Sequence, residues 1–340
     1  MTSPRNPSPE RGSTAFRKAV LLLGAIAALG SLSTQLLVPA LPSIAADLGI
    51  GISAAQLVIG VFLIGLGGGQ LLVGPVADRI EHRHLLLAGL GLFAVGSLLA
   101  AFSNKLEVLL AARLLQAGGS ATGLVIARVL LNTMVPPDRA VTAQANLMSI
   151  VLISPALAPV IGGALTEWLG WRAIMAVLCG SGLIACAVVI RRIPAQPHPR
   201  RRNETVKLHT AYARIISDPG FLAAAAAMAC GSAVLYLFLG SAPFLLERSF
   251  GLSPRETGLC LLLVATASII GTKIVQRFVD PLLTGTALAL LAVALLAAVS
   301  LGGDPALALF LAPCTMVGLS AGFIGPTAIA HVLASARGME

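Results

Sequence analysis

The sequence predicts an all-α membrane protein, a helical bundle of six plus four transmembrane helices. Three observations carry that prediction: a composition too apolar for a water-facing surface, ten apolar stretches of spanning length, and basic residues gathered on alternate connections. Hydrophobic residues (AVILMFWYC) make up 57% of the 340 positions, against about 45–50% for a comparable set in soluble domains. Charged residues supply 11%, less than half of the roughly 25% usual in water. Such a chain lacks the polar surface to cover itself, which excludes soluble enzymes and disordered tails.

A helix needs about 20 apolar residues to cross the hydrocarbon core. Ten stretches qualify: 19–40, 52–76, 84–102, 106–131, 141–165, 171–190, 221–245, 257–278, 282–301 and 306–332. They are long, rich in Ala and Leu and without alternation, which argues against membrane strands. The first follows a basic tail, as a signal peptide does, but its length and continuation into a hairpin of similar segments favour a retained span. The five cysteines, Cys179, Cys186, Cys230, Cys260 and Cys314, all lie in apolar stretches with no CxxC and no His at ligand spacing. They read as buried thiols, with no disulfide framework and no metal site.

Orientation follows from the basic residues. With the N-terminus in the cytoplasm, that side receives Arg5, Arg11, Arg17, Lys18, Arg79, Arg83, Arg139, Arg191, Arg192, Arg200, Arg201, Arg202, Lys207, Arg214, Arg277 and Arg337, sixteen in all. The other side receives four, Lys105, Arg172, Arg248 and Arg255. The positive-inside rule therefore puts both termini in the cytoplasm, in a plasma or inner membrane. The net charge of +9 reports this topology rather than nucleic-acid binding. The longest connection carries Pro194, Pro197, Pro199 and Arg200-Arg201-Arg202, a solvated linker whose basic run could also touch anionic lipid. The expected organisation is a tail at 1–18, a six-helix bundle at 19–190, a linker at 191–220, a four-helix portion at 221–333 and a tail at 334–340.

Four segments carry chemistry. The loop after the second stretch runs from Gly74-Pro75 through Asp78-Arg79-Ile80-Glu81-His82-Arg83; Asp78 can accept from backbone N–H groups at a helix start, and Arg79 and Arg83 can pair with carboxylates or lipid phosphates. The fourth stretch contains Arg113. An arginine inside a span costs about 2.5–3.5 kcal/mol on insertion scales, so it faces a cavity or partner, or snorkels to the outer interface; Arg128 reads as an interface anchor. The fifth contains Ala158-Pro159-Val160-Ile161-Gly162-Gly163, where proline removes a helical hydrogen bond and glycines admit a close neighbour. The first ends in Pro39-Ala40-Leu41-Pro42-Ser43-Ile44-Ala45-Ala46-Asp47-Leu48-Gly49.

Together these segments resemble the major facilitator superfamily. Gly74, Asp78, Arg79 and Arg83 match its cytoplasmic loop motif, with Glu81 and His82 as departures. Pro159, Gly162 and Gly163 are similar to the core of its exporter-associated motif, although an ordinary kinked, tightly packed helix would read the same way. The Pro39–Pro42 segment and Ser241-Ala242-Pro243-Phe244 through Pro254 resemble the Bcr/CflA (bicyclomycin/chloramphenicol resistance) branch of drug:proton antiporters. The resemblance implies a twelve-helix fold, so the last two helices are expected to be missing here, leaving a fragment or a degenerate transporter.

What the resemblance implies is multidrug efflux of amphipathic small molecules by alternating access coupled to protons, with Arg113 in proton transfer and substrate binding. The expected partners are small-molecule drugs, protons and membrane lipid, with no nucleic acid, no obligate protein partner and no cofactor. Gln35, Gln70, Arg113, Asn146, Tyr236 and Phe244 are the candidate lining of the substrate or proton pathway. The branch usually carries a membrane-embedded acid where this chain has Gln35, and none of the 14 acidic residues sits mid-span. Coupling would then fall to a boundary group such as Asp78 or His331. Two other readings stay open: an uptake transporter for a small solute, and a non-transporting remnant. A membrane enzyme is disfavoured, since the sequence shows no Ser/His/Asp set, paired carboxylates, metal cluster or phosphate loop.

Overall fold

A computed structural model describes residues 9–135, 139–194, 217, 219–301 and 306–337. The tail residues 1–8, most of the linker with Arg200-Arg201-Arg202, Lys207 and Arg214, and the side chains of His331 and Arg337 lie outside the described residues. In chain order the helices are α1 (Pro9–Gln35), α2 (Leu41–Leu48), α3 (Ile52–Ala77), α4 (His82–Ala101), α5 (Leu106–Met134), α6 (Ala140–Leu169), α7 (Trp171–Arg192), α8 (Pro219–Phe250), α9 (Pro254–Ile274), α10 (Pro281–Leu301) and α11 (Leu307–Arg337). Among the described residues there is no strand. Ten helical segments are long and apolar enough to cross a bilayer, α1 and α2 forming the first together.

The first span is not one rod. Pro39 and Pro42 have no N–H to donate, and the chain passes from α1 through a 3-10 turn, Val38–Ala40, into α2. Helix α2 stops at Gly49, whose φ of 64° only glycine adopts without strain. There Ile50 N donates to Ala45 O at 3.0 Å and Gly49 N to Ala46 O at 3.4 Å, the two bonds of a Schellman cap. Helix α9 begins with a reciprocal cap: Ser253 N donates to Glu256 Oε2 at 2.8 Å, and Glu256 N donates back to Ser253 Oγ at 3.3 Å.

The chain divides into two compact units. Unit one comprises Met1–Leu37, Ile44–Ala158 and Leu169–Arg201, and unit two Val38–Ser43, Pro159–Trp168 and Arg202–Glu340. In unit one α5 is the hub, with α1, α3 and α4 packed on it and α7 packed on α4. The α4–α5 crossing is backbone to backbone: a Cβ on Gly119 would sit 2.4 Å from Gly89 O and 2.6 Å from Phe93 N. Close approach of this kind is how helices associate where lipid removes the hydrophobic drive between them. In unit two α11 packs against α8, α9 and α10, around a core of Leu246, Val264, Phe310 and Cys314.

Large aliphatic side chains stand on the outside of both units. Ile64, Leu72, Ile184, Leu237 and Leu290 are each more than 60% exposed, an arrangement costly in water and neutral in hydrocarbon. The thiols differ from the expectation of burial: Cys314 is buried, Cys179, Cys186 and Cys260 are half-buried, and Cys230 is exposed. A thiol facing lipid is as well placed as one in a core, so position in an apolar stretch does not fix burial.

One polar cluster ties the loop ends of unit one. Asp47 accepts from Trp171 Nε1 at 3.2 Å and from Arg172 Nη1 at 2.5 Å, while Arg172 Nη2 donates to Ser103 O at 2.9 Å and Asn104 Oδ1 at 3.1 Å. Both charged groups are partly exposed, so the pair is screened. Asp47→Asn is expected to lower stability by under about 1 kcal/mol, read as a small fall in melting temperature in detergent that shrinks further at high salt.

Candidate functional site

Arg113 lies about two turns into α5 and is fully enclosed in unit one. It does not snorkel. Its Nε donates to Val58 O of α3 at 3.1 Å, and its Nη1 to Ser33 Oγ of α1 at 2.6 Å and Gln116 Oε1 of its own helix at 2.9 Å. The guanidinium lies 4.1 Å from the centroid of the Phe62 ring, a favourable cation–π contact. Gln116 relays the network outward, its Nε2 donating to Ser97 Oγ of α4 at 2.7 Å and approaching Met175 Sδ of α7 at 3.8 Å. Ser97 in turn donates to Phe93 O at 2.7 Å. One arginine thus connects five helices, and none of its partners is a carboxylate.

The network is incomplete in a specific way. Arg113 Nη2 and Ser120 Oγ are buried and have no hydrogen-bond partner among the described residues. Arg113, Gln116 and Ser120 are spaced i, i+3 and i+7, which places them on one stripe of α5, with Arg113 and Ser120 about 10 Å apart along the axis. Ser120 meets α1 at Gly30, where a Cβ would come within 3.2 Å of the serine Cβ. Unsatisfied buried polar groups are rare in folded proteins and mark positions that await a ligand, a water or a change of state. The seam between α1 and α5 carries two of them.

The other candidate residues fall in several places. Gln35 is buried at the end of α1, two residues from Ser33. Gln70 is half-buried on α3, and Asn146 is exposed on α6. None of the hydrogen bonds of Arg113 goes to these three. In unit two Tyr236 is half-buried and Phe244 buried on α8. A cavity of about 340 Å3 opens between α8, α10 and α11, lined by Val234, Leu235, Leu290, Val293, Ser320 and Ile324 among others, and Tyr236 and Phe244 are not in its wall. Its hydroxyls are spent on their own helices, Thr286 donating to Leu282 O and Ser320 to Val317 O, so the cavity offers an apolar surface.

The loop motif braces two helices of unit one. Arg83 Nη2 donates to Ile190 O at 3.0 Å near the end of α7, where a cation complements the helix dipole. Glu81 Oε2 and His84 Nδ1 are 2.5 Å apart. Gly74, Asp78 and Arg79 are exposed, Asp78 as the cap residue of α3. The exporter-type segment makes a close backbone contact within unit two. A Cβ on Gly163 would lie 2.2 Å from Pro254 O, and one on Gly258 would lie 2.4 Å from Pro159 O, so the end of α6 and the start of α9 touch through backbone. Glu167 accepts from Arg255 N at 3.3 Å, placing a carboxylate at the N-terminus of α9. Gly162 lends its carbonyl to Thr166 Oγ1 at 2.7 Å.

Comparison with known proteins decides what this architecture belongs to. The family profile described as Major Facilitator Superfamily matches residues 23–339. The chain belongs to that superfamily. Multidrug resistance protein D of Escherichia coli (strain K12) is 30% identical over 261 residues, 76% of this chain and 65% of that protein. The uncharacterized MFS-type transporter YdgK of Bacillus subtilis (strain 168) is 31% identical over 278 residues, 80% of this chain and 68% of that protein. A chloramphenicol resistance protein of Pseudomonas aeruginosa is 30% identical over 261 residues, 76% and 62% of the two chains. The chain spans about two thirds of the length of these curated relatives. These names accord with the Bcr/CflA-type resemblance.

The fold agrees. A bacterial homolog to the human lysosomal transporter Spinster, in inward-facing and occupied conformation, superposes with a TM-score of 0.76 at 16% identity, covering 97% of this chain and 79% of that one. A point mutant of the nucleoside transporter NupG superposes with a TM-score of 0.72 at 14% identity, covering 94% and 86%. This major facilitator chain is therefore a multi-pass helical membrane protein. The sequence singles out Arg113 within a segment that also holds Gln116 and Ser120, but gives no pointer to Ser33, Ser97 or Phe62 around it. Gln116 and Ser120 carried a signal, their spacing from Arg113 on one helical stripe; Ser33 and Ser97 are single hydroxyls in apolar runs and carried none.

Proposed function

We propose that this major facilitator protein exports amphipathic small molecules, of the kind that the resistance names of its relatives point to, by alternating access in the inner membrane with both termini in the cytoplasm. The observation that carries the reading is the unspent Nη2 of Arg113: a buried cation without a carboxylate, offering donors to a polar group of the substrate. Ser120 extends that polar stripe along α5. The six-helix portion at 19–190 and the four-helix portion at 221–333 are the moving parts, and the segment Pro159–Gly163 supports export over uptake. The test is expression in a drug-sensitive bacterium with chloramphenicol or ethidium retention as the readout. Retention is expected to fall well below that of empty vector; equal retention at good membrane expression identifies a non-transporting remnant, and raised retention identifies uptake.

Protons are the proposed counter-substrate, and Gln35 weakens their grip. Glutamine can hydrogen-bond a substrate but cannot titrate, whereas coupling needs a group whose charge changes in the dry interior. The proton then moves through boundary groups such as Asp78 or His331. Gln35→Asp is expected to increase the dependence of export on an imposed pH gradient, measured as drug retention with the gradient present and collapsed. If the gradient drives the original chain as strongly as the variant, Gln35 is not the weak point of coupling.

A further inference from the structure

We propose that unit one carries a binding groove for an anionic phospholipid, formed by α1 from Lys18 to Leu23 and the ends of α5 and α7. The groove has a volume of about 440 Å3 and is lined by Lys18 and Arg192 together with Leu22, Leu23, Met134 and Val188, among others. That volume lies within the roughly 300–1,000 Å3 of small-molecule sites. Among the described residues no carboxylate lines it, and neither Lys18 nor Arg192 has an acidic partner.

The order of these residues along the two helices is what selects the ligand. Leu22 follows Lys18 by four positions and Val188 precedes Arg192 by four, so each wall sets a cation at the end of its apolar span and an aliphatic side chain one turn further into that span on the same face. Both helices place charge at the same end of the groove, and the gradient from cation to hydrocarbon runs in parallel on its two walls. A phospholipid has the complementary gradient, phosphate first and acyl chain below it. Arg191 stands beside Arg192 in the last turn of α7, and Arg83 has been drawn to the same helix end through Ile190 O, so the potential at that end is positive. Basic pockets between spanning helices are a recurrent way of holding anionic headgroups. A zwitterionic lipid brings its own cation and gains less, and free phosphate leaves the aliphatic lining uncovered.

The test measures lipid retained by the full chain, using native mass spectrometry after reconstitution in phosphatidylcholine with an equal share of phosphatidylglycerol. The wild-type chain is expected to retain phosphatidylglycerol preferentially. Two cations at a membrane surface together support a change of about tenfold or more, so Lys18→Gln with Arg192→Gln should remove most of that preference while leaving phosphatidylcholine adducts unchanged. Leu22→Trp, which fills the groove and keeps both charges, should reduce retention as well. Neutralising Arg200, Arg201 and Arg202 in the linker should leave it intact. Equal retention of the two lipids by the wild type overturns the proposal, as does a Leu22→Trp or double variant that retains phosphatidylglycerol normally. Loss confined to the linker variant overturns it in favour of the linker run. A rise in melting temperature in pure phosphatidylcholine on adding inorganic phosphate, equal to that given by phosphatidylglycerol, overturns it in favour of the free ion.

Discussion

Arg113→Met is expected to abolish drug export while leaving the protein folded, within about 2 kcal/mol of the original stability. Two opposing quantities lead to that figure. The three hydrogen bonds from Arg113 to Val58, Ser33 and Gln116 contribute roughly 0.6–1.7 kcal/mol each within a membrane. Against them stands the cost of holding a cation in hydrocarbon, about 2.5–3.5 kcal/mol on insertion scales, and no carboxylate in the network offsets it. The sums nearly cancel, so methionine, which fills much of the volume and adapts its shape, removes the donors without emptying the core. Gln116→Leu should behave in the opposite sense. It leaves the charge in place with one partner fewer, and a lost bond to a charged group costs about 1.5–3 kcal/mol. The smaller change at Gln116 is therefore expected to lower the melting temperature more than the larger change at Arg113, and adding Arg113→Met to Gln116→Leu should recover stability without recovering export. Melting in detergent and chloramphenicol retention, measured on all three variants, check this. Full export by Arg113→Met would remove the arginine from the substrate path.

The contrast between spans and site shows which part of this protein is written locally. Ten spans were legible because hydropathy is a sum over neighbours in sequence, but the first, expected as a single stretch at 19–40, breaks after Gln35 and continues as a second helix to Leu48. Arg113 was legible because a charge in an apolar run needs a reason. Its surroundings were not, since Ser33, Ser97 and Phe62 reach it only through the packing of α1, α4 and α3 on α5. Asp47 and Arg172 are 125 positions apart, and nothing in either segment announces the other. Val234 and Leu235 of α8 line the apolar cavity of unit two while Tyr236 and Phe244 do not, because hydropathy along a span does not fix the rotation of the helix about its own axis. Pro159 and Gly163 could be read as a close-packing segment, but the identity of the packed neighbour, the first turn of α9, depends on tertiary structure.

That neighbour makes Gly163 the second position of large expected effect. Gly163→Leu should return drug retention to the level of empty vector, even where the protein still inserts. A Cβ at this position meets Pro254 O at 2.2 Å and Arg255 Cα at 3.0 Å. These are backbone atoms, so no rotamer change relieves the contact. Ordinary contact between heavy atoms needs about 3.5 Å, and α6 must move away from the start of α9 by on the order of 1 Å for alanine and more for leucine. Overpacking of this kind typically costs about 1–3 kcal/mol, and the movement also pulls Glu167 away from Arg255 N. Gly258 faces Pro159 O across the same contact, which supplies an internal check. Once alanine at Gly163 has separated the helices, alanine at Gly258 meets a neighbour already displaced, so the double variant should lose less stability than the two single losses combined. Gly180→Ala, where a Cβ meets nothing within 4 Å, should be harmless or slightly stabilising because it only removes glycine's backbone freedom. Additive losses at Gly163 and Gly258, or normal export by Gly163→Leu, would mean that the segment acts as a flexible kink and that its contact with α9 is incidental to transport.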